Sequence, residues 1–333
     1  MRKALIAIIV VTLPAIGGAW LFLVALKPMQ PHEPLVVTIG RGESLKSVAR
    51  RLAAAGVVRS AELFVVYGEW SGRAAQLKPG DYVFAGGESF NQILRRLVGG
   101  DVLTVIVAIP EGMTVHQIGQ RLAVAGLACD GEFDAAAANG PLVRALGLGT
   151  IGAEGFLFPA TYRFSPRART DDLLAVMLAK FFALLTPQVE QRMFDLGLDA
   201  RQLVTLASII EREAKVPGER PVIASVFYNR LAAGMPLQSD PTAQYNFTGE
   251  RPAAYAAVHT ASAYNTYAIA GLPPGAIANP GWSAIAAALY PAHTDYLYFV
   301  ARDDGTHIFS RSFKQHQQAV AMLSGHARRP PSN

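Results

Sequence analysis

Two glutamates, Glu211 and Glu213, close an otherwise apolar stretch and are the first candidates for acid–base chemistry. Asp199 followed by Gln202 forms a capping-box pattern, which predicts a helix that begins here and runs to Lys215. Apolar residues recur at helical spacing along this stretch, so most of the helix surface should be buried. A carboxyl on the shoulder of such a helix is partly desolvated. Desolvation raises its pKa, so that it could donate a proton near neutral pH.

The helical pattern does not choose between the two acids. Glu211 and Lys215 lie four residues apart and could form an ordinary ion pair on the helix surface. Glu213 occupies the opposite shoulder of the same apolar face. Thr205 and Ser208 are expected to face polar surroundings. Either acid could therefore be structural, and other parts of the chain must decide.

Two long loops after this helix supply uncharged polar groups. Residues 234–247 and 264–281 are rich in proline and glycine, and loops of this length inside a compact domain are usually functional. Their hydroxyl and amide groups suit a ligand rich in hydroxyls and amides better than a phosphate or an apolar ligand. The candidate ligand-binding residues are Ser208, Asn229, Gln238, Asp240, Thr242, Tyr264, Asn265 and Thr266.

A third acid, Glu154, opens the aromatic segment EGFLFPATYRFSP at 154–166. Aromatic faces beside a carboxylate suit a sugar, because its CH face packs on a ring while its hydroxyls need polar partners. Glu154 is therefore a further candidate for sugar binding. The alternative is an aromatic core beside one exposed acid, and this segment alone favours that alternative.

The N-terminus predicts a single membrane-spanning helix. The run from Ala4 to Leu26 has no charged residue and is long enough to cross a hydrocarbon core of about 30 Å. A cleaved signal peptide would have a shorter apolar region and a small-residue cleavage site, which are not seen. Arg2 and Lys3 favour a cytoplasmic N-terminus, so roughly 300 residues should lie on the outer side of the inner membrane.

Composition narrows the function further. Hydrophobic residues make up 51% of the chain and charged residues 17%, which is typical of a folded protein. The net charge of +5 is spread without a long basic run, so nucleic acid is not an expected partner. Cys129 is the only cysteine, which excludes an intramolecular disulfide and a cysteine-based metal site. The histidines lack metalloenzyme spacing, so neither a metal nor a cofactor is predicted.

A repeated pattern occupies the region after the linker at 28–34. Residues 41–56, 86–100 and 111–126 each combine a Ser or Thr that can cap a helix, an Arg-Leu pair and a closing glycine. Each copy reads as a short strand, a capped helix and a glycine cap. The first and third copies resemble the start of LysM peptidoglycan-binding modules, which implies a small βααβ module.

The predicted fold class is α+β, with a membrane helix, a LysM-like module and a mixed α+β catalytic domain. We expect helices at 171–185, 188–196, 218–231 and 282–289, then a hairpin of 295–301 with 306–310. His307 and His316, on the hairpin and the last helix, are interpreted as packing or surface residues. The predicted boundaries are 1–27 for the cytoplasmic tip and membrane helix, 28–34 for the linker, 35–128 for the LysM-like module and 129–333 for the catalytic domain.

Five ordered motifs of the C-terminal part resemble those of the YceG-like family. They are ASIIEREA at 207–214, SVFYNRL at 225–231, LQSDPT at 237–242, TYAIAGLPPGAIANPG at 266–281 and YLYFVA at 296–301. The resemblance implies a membrane-anchored lytic transglycosylase that cleaves the β-1,4 bond between N-acetylmuramic acid and N-acetylglucosamine in nascent peptidoglycan. It leaves 1,6-anhydro ends, needs no cofactor and is expected beside the peptidoglycan synthases.

The resemblance also implies that Glu211 is the catalytic acid. A lytic transglycosylase uses the 6-hydroxyl of muramic acid as nucleophile, so one Glu can donate a proton and then accept one. A muramidase-type hydrolase would need a second carboxylate, for which Asp240 and Glu154 are the candidates. A peptidoglycan-binding scaffold of the elongation machinery, without catalysis, is the alternative from another class.

Overall fold

The computed structural model describes residues 27–29, 33–245 and 257–326 of the chain. The predicted membrane span, Ala4 to Leu26, lies outside these residues and stays a prediction. Within them, no single helix is both long and apolar enough to cross a membrane. One bent pair of helices, Thr170–Phe182 and Pro187–Asp195, meets that requirement jointly by length and composition alone, with 69° between its halves.

The chain divides into two compact units after Val105. The sequence analysis places this boundary later, after residue 128. The third copy of the repeat, 111–126, therefore belongs to the second unit, which also holds the candidate site residues. Each unit is described separately below.

The first unit combines a two-stranded sheet with three helices. Its elements are β1 (Leu35–Ile39), α1 (Leu45–Ala54), α2 (Ala61–Trp70), β2 (Gly80–Phe84) and α3 (Phe90–Gly99). Strands β1 and β2 pair antiparallel, with Leu35 opposite Phe84 and Ile39 opposite Gly80. The elements follow one another as strand, helix, helix and strand. That the unit is a LysM-like module and that it binds glycan both stay predictions.

The capped helices of the repeat are confirmed. Ser44, Ser89 and Thr114 each accept a hydrogen bond from a backbone N–H three residues later, at 3.2–3.4 Å. Each satisfies one of the unpaired donors at a helix start. Gly100 closes α3 with φ of 76°, a left-handed conformation that glycine adopts without a steric cost. The repeat therefore marks three helix starts correctly, although its copies belong to two different units.

The second unit is mostly helical. Its elements, with β3 beginning at the boundary, are β3 (Val105–Ile109), α4 (Val115–Val124), α5 (Glu132–Asn139), α6 (Pro141–Ala145), β4 (Ala160–Phe164), α7 (Thr170–Phe182), α8 (Pro187–Asp195), α9 (Ala200–Glu213), α10 (Arg220–Ala232), α11 (Asp240–Gln244), α12 (Trp282–Leu289), β5 (Tyr298–Ala301), β6 (His307–Ser310) and α13 (Phe313–His326). Strand β3 pairs with β4, and β5 pairs with β6.

Helix α9 is packed against α10, α11 and α12. All eight residues from Leu203 to Ile210 are buried, which confirms the enclosed helix that the apolar pattern predicts. Thr205 and Ser208 are buried too, so the expectation that they face polar surroundings was wrong. The Ser208 hydroxyl donates to the Thr205 carbonyl at 2.8 Å and accepts from the Ile277 N–H at 3.0 Å. This pair of bonds fastens the loop at 264–281 onto α9.

The predicted hairpin also forms. Tyr298 lies opposite Ser310 and Ala301 opposite His307, and the turn between the strands has Gly305 at φ of 84°. The loop predicted at 234–247 differs in one respect, because α11 starts at Asp240 with a proline at its first turn. That short helix places Ser239 and Asp240 beside the end of α9, where both glutamates lie.

Candidate active site

The start of α9 follows from its capping chemistry. The Asp199 carboxylate accepts the Gln202 N–H at 2.7 Å, and the Gln202 amide oxygen accepts the Asp199 N–H at 2.9 Å. This reciprocal capping box satisfies two donors that a helix start leaves unpaired. The helix then ends at Glu213, and its last turn presents Glu211 and Glu213 to different neighbours.

Glu211 is engaged through both carboxylate oxygens. Oε1 accepts from the Arg220 guanidinium at 2.8 Å, and Oε2 accepts from the Gly281 N–H at 3.1 Å. The ion pair is enclosed, since the Glu211 side chain is 7% exposed and that of Arg220 10%. A proton placed on either oxygen would point at another donor. In this arrangement Glu211 is a carboxylate in an ion pair with Arg220. It also binds the end of the loop that precedes α12, through Gly281.

Glu111 is an acid beside this ion pair that the sequence analysis did not single out. A Cβ added to Gly281 would lie 1.9 Å from its Oε1, so the carboxyl rests directly against the glycine backbone. Burial raises the pKa of Glu111, the negative charge of Glu211 raises it further, and the positive charge of Arg220 lowers it. The sequence does indicate its place, because Glu111 lies in the short turn between β3 and the capped start of α4.

Glu213 has the surroundings of a neutral acid. Its Oε1 accepts a hydrogen bond from the Ser239 hydroxyl at 2.5 Å. Burial raises the pKa of Glu213 to about 7, and the negative charge of Asp240 also raises it. The hydrogen bond from Ser239 and the positive charge of Arg212 lower this pKa. At neutral pH the carboxyl therefore holds its proton for a substantial part of the time.

Glu213 lines a cavity of about 240 Å³, called the Glu213 cavity below. Its lining is Glu213, Arg230, Leu237, Gln238, Asp240, Tyr267, Phe299, Val300, Ala301 and His307. The Tyr267 hydroxyl donates to Asp240 at 2.5 Å, so a second carboxylate is held on the same wall. The cavity combines acids, amide and hydroxyl groups with aromatic and aliphatic surface, which is typical of carbohydrate recognition.

Gln238 has a strained backbone at this cavity. Its φ of 52° makes it the one non-glycine residue with positive φ among the residues the structure describes. Such conformations cost about 1–3 kcal/mol and persist where neighbours fix them. Here the Gln238 N–H donates to the Thr266 carbonyl at 3.0 Å, and Arg230 donates to its side-chain oxygen at 3.1 Å. Strain of this kind is concentrated at functional sites, and Gln238 was predicted to bind the ligand.

Arg230 organises the wall that carries Gln238. Its guanidinium donates to the carbonyls of Leu297, Pro236 and Leu237 at 2.6, 3.1 and 2.9 Å. Burial lowers the pKa of Arg230 from its usual high value. The side chain thus ties the loop after α10 to the segment before β5, and its charge is spread over neutral oxygens.

Most of the other predicted ligand-binding residues are used internally. Thr242, Asn265 and Thr266 are buried, and the Thr242 and Thr266 hydroxyls lie 2.8 Å apart. The Asn265 amide donates to two nearby carbonyls at 2.9 and 2.8 Å. Ser208 is buried as well, and the Asn229 amide donates to the carbonyls of Thr294 and Tyr296. In this structure these groups hold the loops together, and their predicted contact with a ligand stays a prediction.

Glu154 lies in a separate network. It accepts the Val115 N–H at 3.1 Å, the Asn279 amide at 2.8 Å and the Tyr245 hydroxyl at 3.0 Å. Burial raises the pKa of Glu154 to about 7 against the lowering effect of these bonds. The aromatic residues after it, such as Phe156 and Tyr162, are core, as the alternative interpretation expects, but Glu154 is not the exposed acid that this interpretation assumes.

The remaining predicted residue, Tyr264, packs its ring against that of Tyr245, with 4.8 Å between the centroids. Glu154 and Tyr245 line a cavity of about 250 Å³ together with His116 and Asp134. The structure therefore brings Gln238 and Asp240 to Glu213, and it keeps Glu154 and Tyr264 with Tyr245.

Residues 37–322 match the family model described as the YceG-like family, so the chain belongs to that family. It is 32% identical over 327 residues to the endolytic murein transglycosylase of Bacillus subtilis, covering 91% of this chain and 89% of that protein. It is 29% identical to the endolytic murein transglycosylase of Streptococcus pneumoniae D39, covering 89% of this chain and 60% of that protein. A crystal structure of a yceG-like protein from Listeria monocytogenes superposes with a TM-score of 0.59 at 30% identity, over 86% of this chain and 99% of that one.

Proposed function

We propose that the protein is a lytic transglycosylase that cleaves the β-1,4 bond between N-acetylmuramic acid and N-acetylglucosamine inside peptidoglycan strands, leaving 1,6-anhydro ends. The relatives named endolytic murein transglycosylases support the reaction class. The observation that carries the proposal is Glu213, a carboxyl whose pKa is raised to about 7, in a polar cavity. Such a group can give and take a proton at neutral pH.

The reaction needs one side chain that acts first as a general acid and then as a general base. Glu213 protonates the glycosidic oxygen as the bond to the departing sugar breaks. The 6-hydroxyl of the muramic acid then attacks the anomeric carbon, and Glu213 takes the hydroxyl proton. The product is an intramolecular 1,6-anhydro bridge, and the acid returns to its starting state. Because the nucleophile belongs to the substrate, no enzyme carboxylate has to activate water.

The choice of Glu213 differs from the sequence prediction, which selects Glu211. Glu211 has Arg220 on one oxygen and the Gly281 N–H on the other. Glu213 accepts a hydrogen bond from Ser239 and lines the cavity that also holds Gln238 and Asp240. These surroundings support Glu213 as the proton donor. The prediction for Glu211 stays a prediction that the same experiment tests.

The experiment compares Glu213→Gln with Glu211→Gln in the full chain. Purified glycan strands are digested, and the products are identified by mass spectrometry. We expect Glu213→Gln to retain folding and glycan binding and to lose about a thousandfold or more of the cleavage rate, since general acid catalysis contributes on that scale. Glu211→Gln should lower stability, because it leaves Arg220 buried beside a neutral group, and should retain most of the rate. The reverse ranking would reassign the acid to Glu211.

A hydrolytic reaction is the second candidate, and one observation favours it. Asp240 lies beside Glu213 on the wall of the same cavity, so two carboxylates are available as a muramidase would need. The products separate the two reactions. A 1,6-anhydro end supports the transglycosylase, whereas a reducing end with added water supports the hydrolase.

The location of the enzyme follows the sequence prediction. We propose that the chain is held in the inner membrane by one helix from Ala4 to Leu26, with the N-terminus in the cytoplasm and residues 28–333 outside. Peptidoglycan strands would be its substrate there, and peptidoglycan synthases its neighbours. A non-catalytic scaffold would occupy the same place, but the neutral acid in a polar cavity favours an enzyme.

A further inference from the structure

Glu219 and His307 form an acid–imidazole pair, of which His307 lines the Glu213 cavity. Glu219 ends the turn before α10, and His307 begins β6, so the two residues are 88 positions apart in the chain. The His307 Nδ1 lies 2.7 Å from Oε2 of Glu219, and the His307 backbone N–H donates to Oε1 at 3.1 Å. Two bonds from one residue to one carboxylate fix both the strand end and the ring.

The contact with Glu219 determines which ring nitrogen of His307 is left without a hydrogen bond. An ionised carboxylate can only accept hydrogen bonds, so Nδ1 carries a proton and donates it to Glu219. The ring is packed edge to face on Phe299, with 5.3 Å between centroids at 89°, and its side chain is 3% exposed. Nε2, on the other edge of the ring, has no hydrogen-bond partner in the part of the chain that the structure describes.

His307 is also one of the residues that line the Glu213 cavity, together with Asp240 and Gln238. The His307 side chain as a whole is 3% exposed, so a ligand or water in the cavity is the partner that its free ring nitrogen can reach. A sugar offers hydroxyl and acetamido groups, which can donate to or accept from an imidazole nitrogen. The position of the ring beside the proposed proton donor makes a bound sugar the natural partner.

We infer that His307 contacts the substrate sugar through Nε2, and that Glu219 is the positioning residue that holds the imidazole in that orientation. This inference rests on the proposed function of the Glu213 cavity. His307 adds a binding contact to the reaction and no second proton transfer, so its loss should weaken substrate binding more than it slows cleavage.

Two substitutions of His307 separate this role from a purely structural one. His307→Asn places an amide near the position of Nδ1, so it retains a partner for Glu219 and loses the group at Nε2. His307→Gln reaches the position of Nε2 and retains a polar group at the cavity. If the Nε2 contact matters, Asn should be the more damaging change. If the bond to Glu219 matters, Gln should be at least as damaging.

The measurement uses the full chain in detergent with purified glycan strands as substrate. We expect His307→Asn to raise KM about tenfold, the usual scale for one unmade polar contact, with kcat within about threefold of the wild type. His307→Gln should raise KM no more than about threefold. An unchanged KM in His307→Asn, or an equal loss in both variants with a lowered melting temperature, overturns the inference.

Two further variants complete the design. Glu219→Gln keeps the size of the side chain and weakens its hold on the ring, so KM should rise in the same direction but less than in His307→Asn. His316→Gln is the matched control, because His316 stacks on Tyr298 in α13, with 5.4 Å between ring centroids, and does not line the Glu213 cavity. Its KM should equal that of the wild type, and a rise as large as in His307→Asn counts against the inference.

Failure of this inference is distinguishable from failure of the proposed function. Binding of muramyl oligosaccharides is measured by calorimetry in Glu213→Gln, or in Glu211→Gln if that is the variant that loses cleavage, so that cleavage does not interfere. If His307→Asn weakens binding there about tenfold, the contact is supported whichever acid performs the reaction. If the Glu213→Gln protein binds no oligosaccharide, or binding is unchanged by His307→Asn, the contact is rejected.

Discussion

Two glutamates of one helical turn, Glu211 and Glu213, have opposite surroundings although only Arg212 separates them. One faces the buried guanidinium of Arg220, and the other faces the hydroxyl of Ser239. Both partners come from elements that follow α9 in the chain. Residue type and helical spacing made the two acids equivalent, and tertiary neighbours made them different. At this scale, the two acids differ because one side of the helix end meets a charge and the other side meets a neutral donor.

The pH dependence of cleavage tests the environment of Glu213 directly. A proton donor must start protonated, so kcat/KM should fall above about pH 7, by about tenfold for each further pH unit. Asp240→Asn removes a negative charge that raises the pKa of Glu213, so the alkaline limb should move to lower pH. Ser239→Ala removes a bond that lowers this pKa, so the limb should move to higher pH.

These two shifts have opposite signs and are read from pH–rate profiles of the full chain. The Asp240→Asn change keeps an oxygen that can accept from Tyr267, so the wall of the cavity should persist. Profiles that stay in place in both variants would mean that another group titrates. Loss of most of the rate in Glu211→Gln, with the limb unmoved in Asp240→Asn and Ser239→Ala, would point to the acid that the sequence predicts.

At the scale of elements, local chemistry was predictable and long-range pairing was not. The caps at Ser44, Ser89 and Thr114 are set by residues three positions apart, so a pattern in the sequence identifies them. The contact of Glu219 with His307 joins residues 88 apart, and no spacing rule indicates it. His307 was accordingly interpreted as a packing or surface residue. His307 is buried at the start of β6, but burial does not alternate along this strand, so the strand pattern does not indicate what the ring faces.

Gly281, at the start of α12, illustrates a close approach between elements. It has φ of −77° and ψ of 170°, which any residue adopts, so its conformation does not require glycine. The space that a side chain would need is occupied instead. A Cβ on Gly281 would lie 1.9 Å from Oε1 of Glu111 and 2.0 Å from Cδ of Glu111. Gly281→Ala should therefore push the Glu111 carboxyl away from the Glu211–Arg220 pair, at a cost of about 1 kcal/mol in the free energy of unfolding.

A double-mutant cycle separates this contact from the capping preference of the site. Ala is a poorer helix N-cap than Gly, and that loss is the same in every background. In a Glu111→Ala protein the obstructing carboxyl is gone, so Gly281→Ala should cost about 1 kcal/mol less there than in the wild type. Urea unfolding of the four proteins gives the coupling. A coupling near zero would show that the Glu111 side chain does not rest on Gly281 in solution.

At the scale of the whole molecule, the carboxyl of Glu154 holds separate segments of the second unit together, and its charge depends on the pH. This carboxyl joins the start of α4, the loop before α12 and the end of α11 through Val115, Asn279 and Tyr245. The three segments that meet there also carry or flank Glu111, Gly281 and the Glu213 cavity. A carboxyl with few charged neighbours in such a place links the stability of the unit to the solution pH.

Ionisation of Glu154 should make the second unit less stable as the pH rises. The pKa of Glu154 is raised to about 7 in the folded chain from 4.5, so the folded state binds more protons than the unfolded state between these values. The contribution of Glu154 is therefore complete below pH 4.5 and is lost as the pH rises toward 7, by at most about 1.4 kcal/mol per pH unit. Glu154→Gln retains acceptor and donor groups for the same three partners but does not titrate. Its free energy of unfolding should fall less steeply than that of the wild type between pH 4.5 and 7, measured by urea unfolding at each pH. Equal slopes would show that folding does not raise the pKa of Glu154. Glu190→Gln, on the surface of α8, is the control that should leave the wild-type slope unchanged.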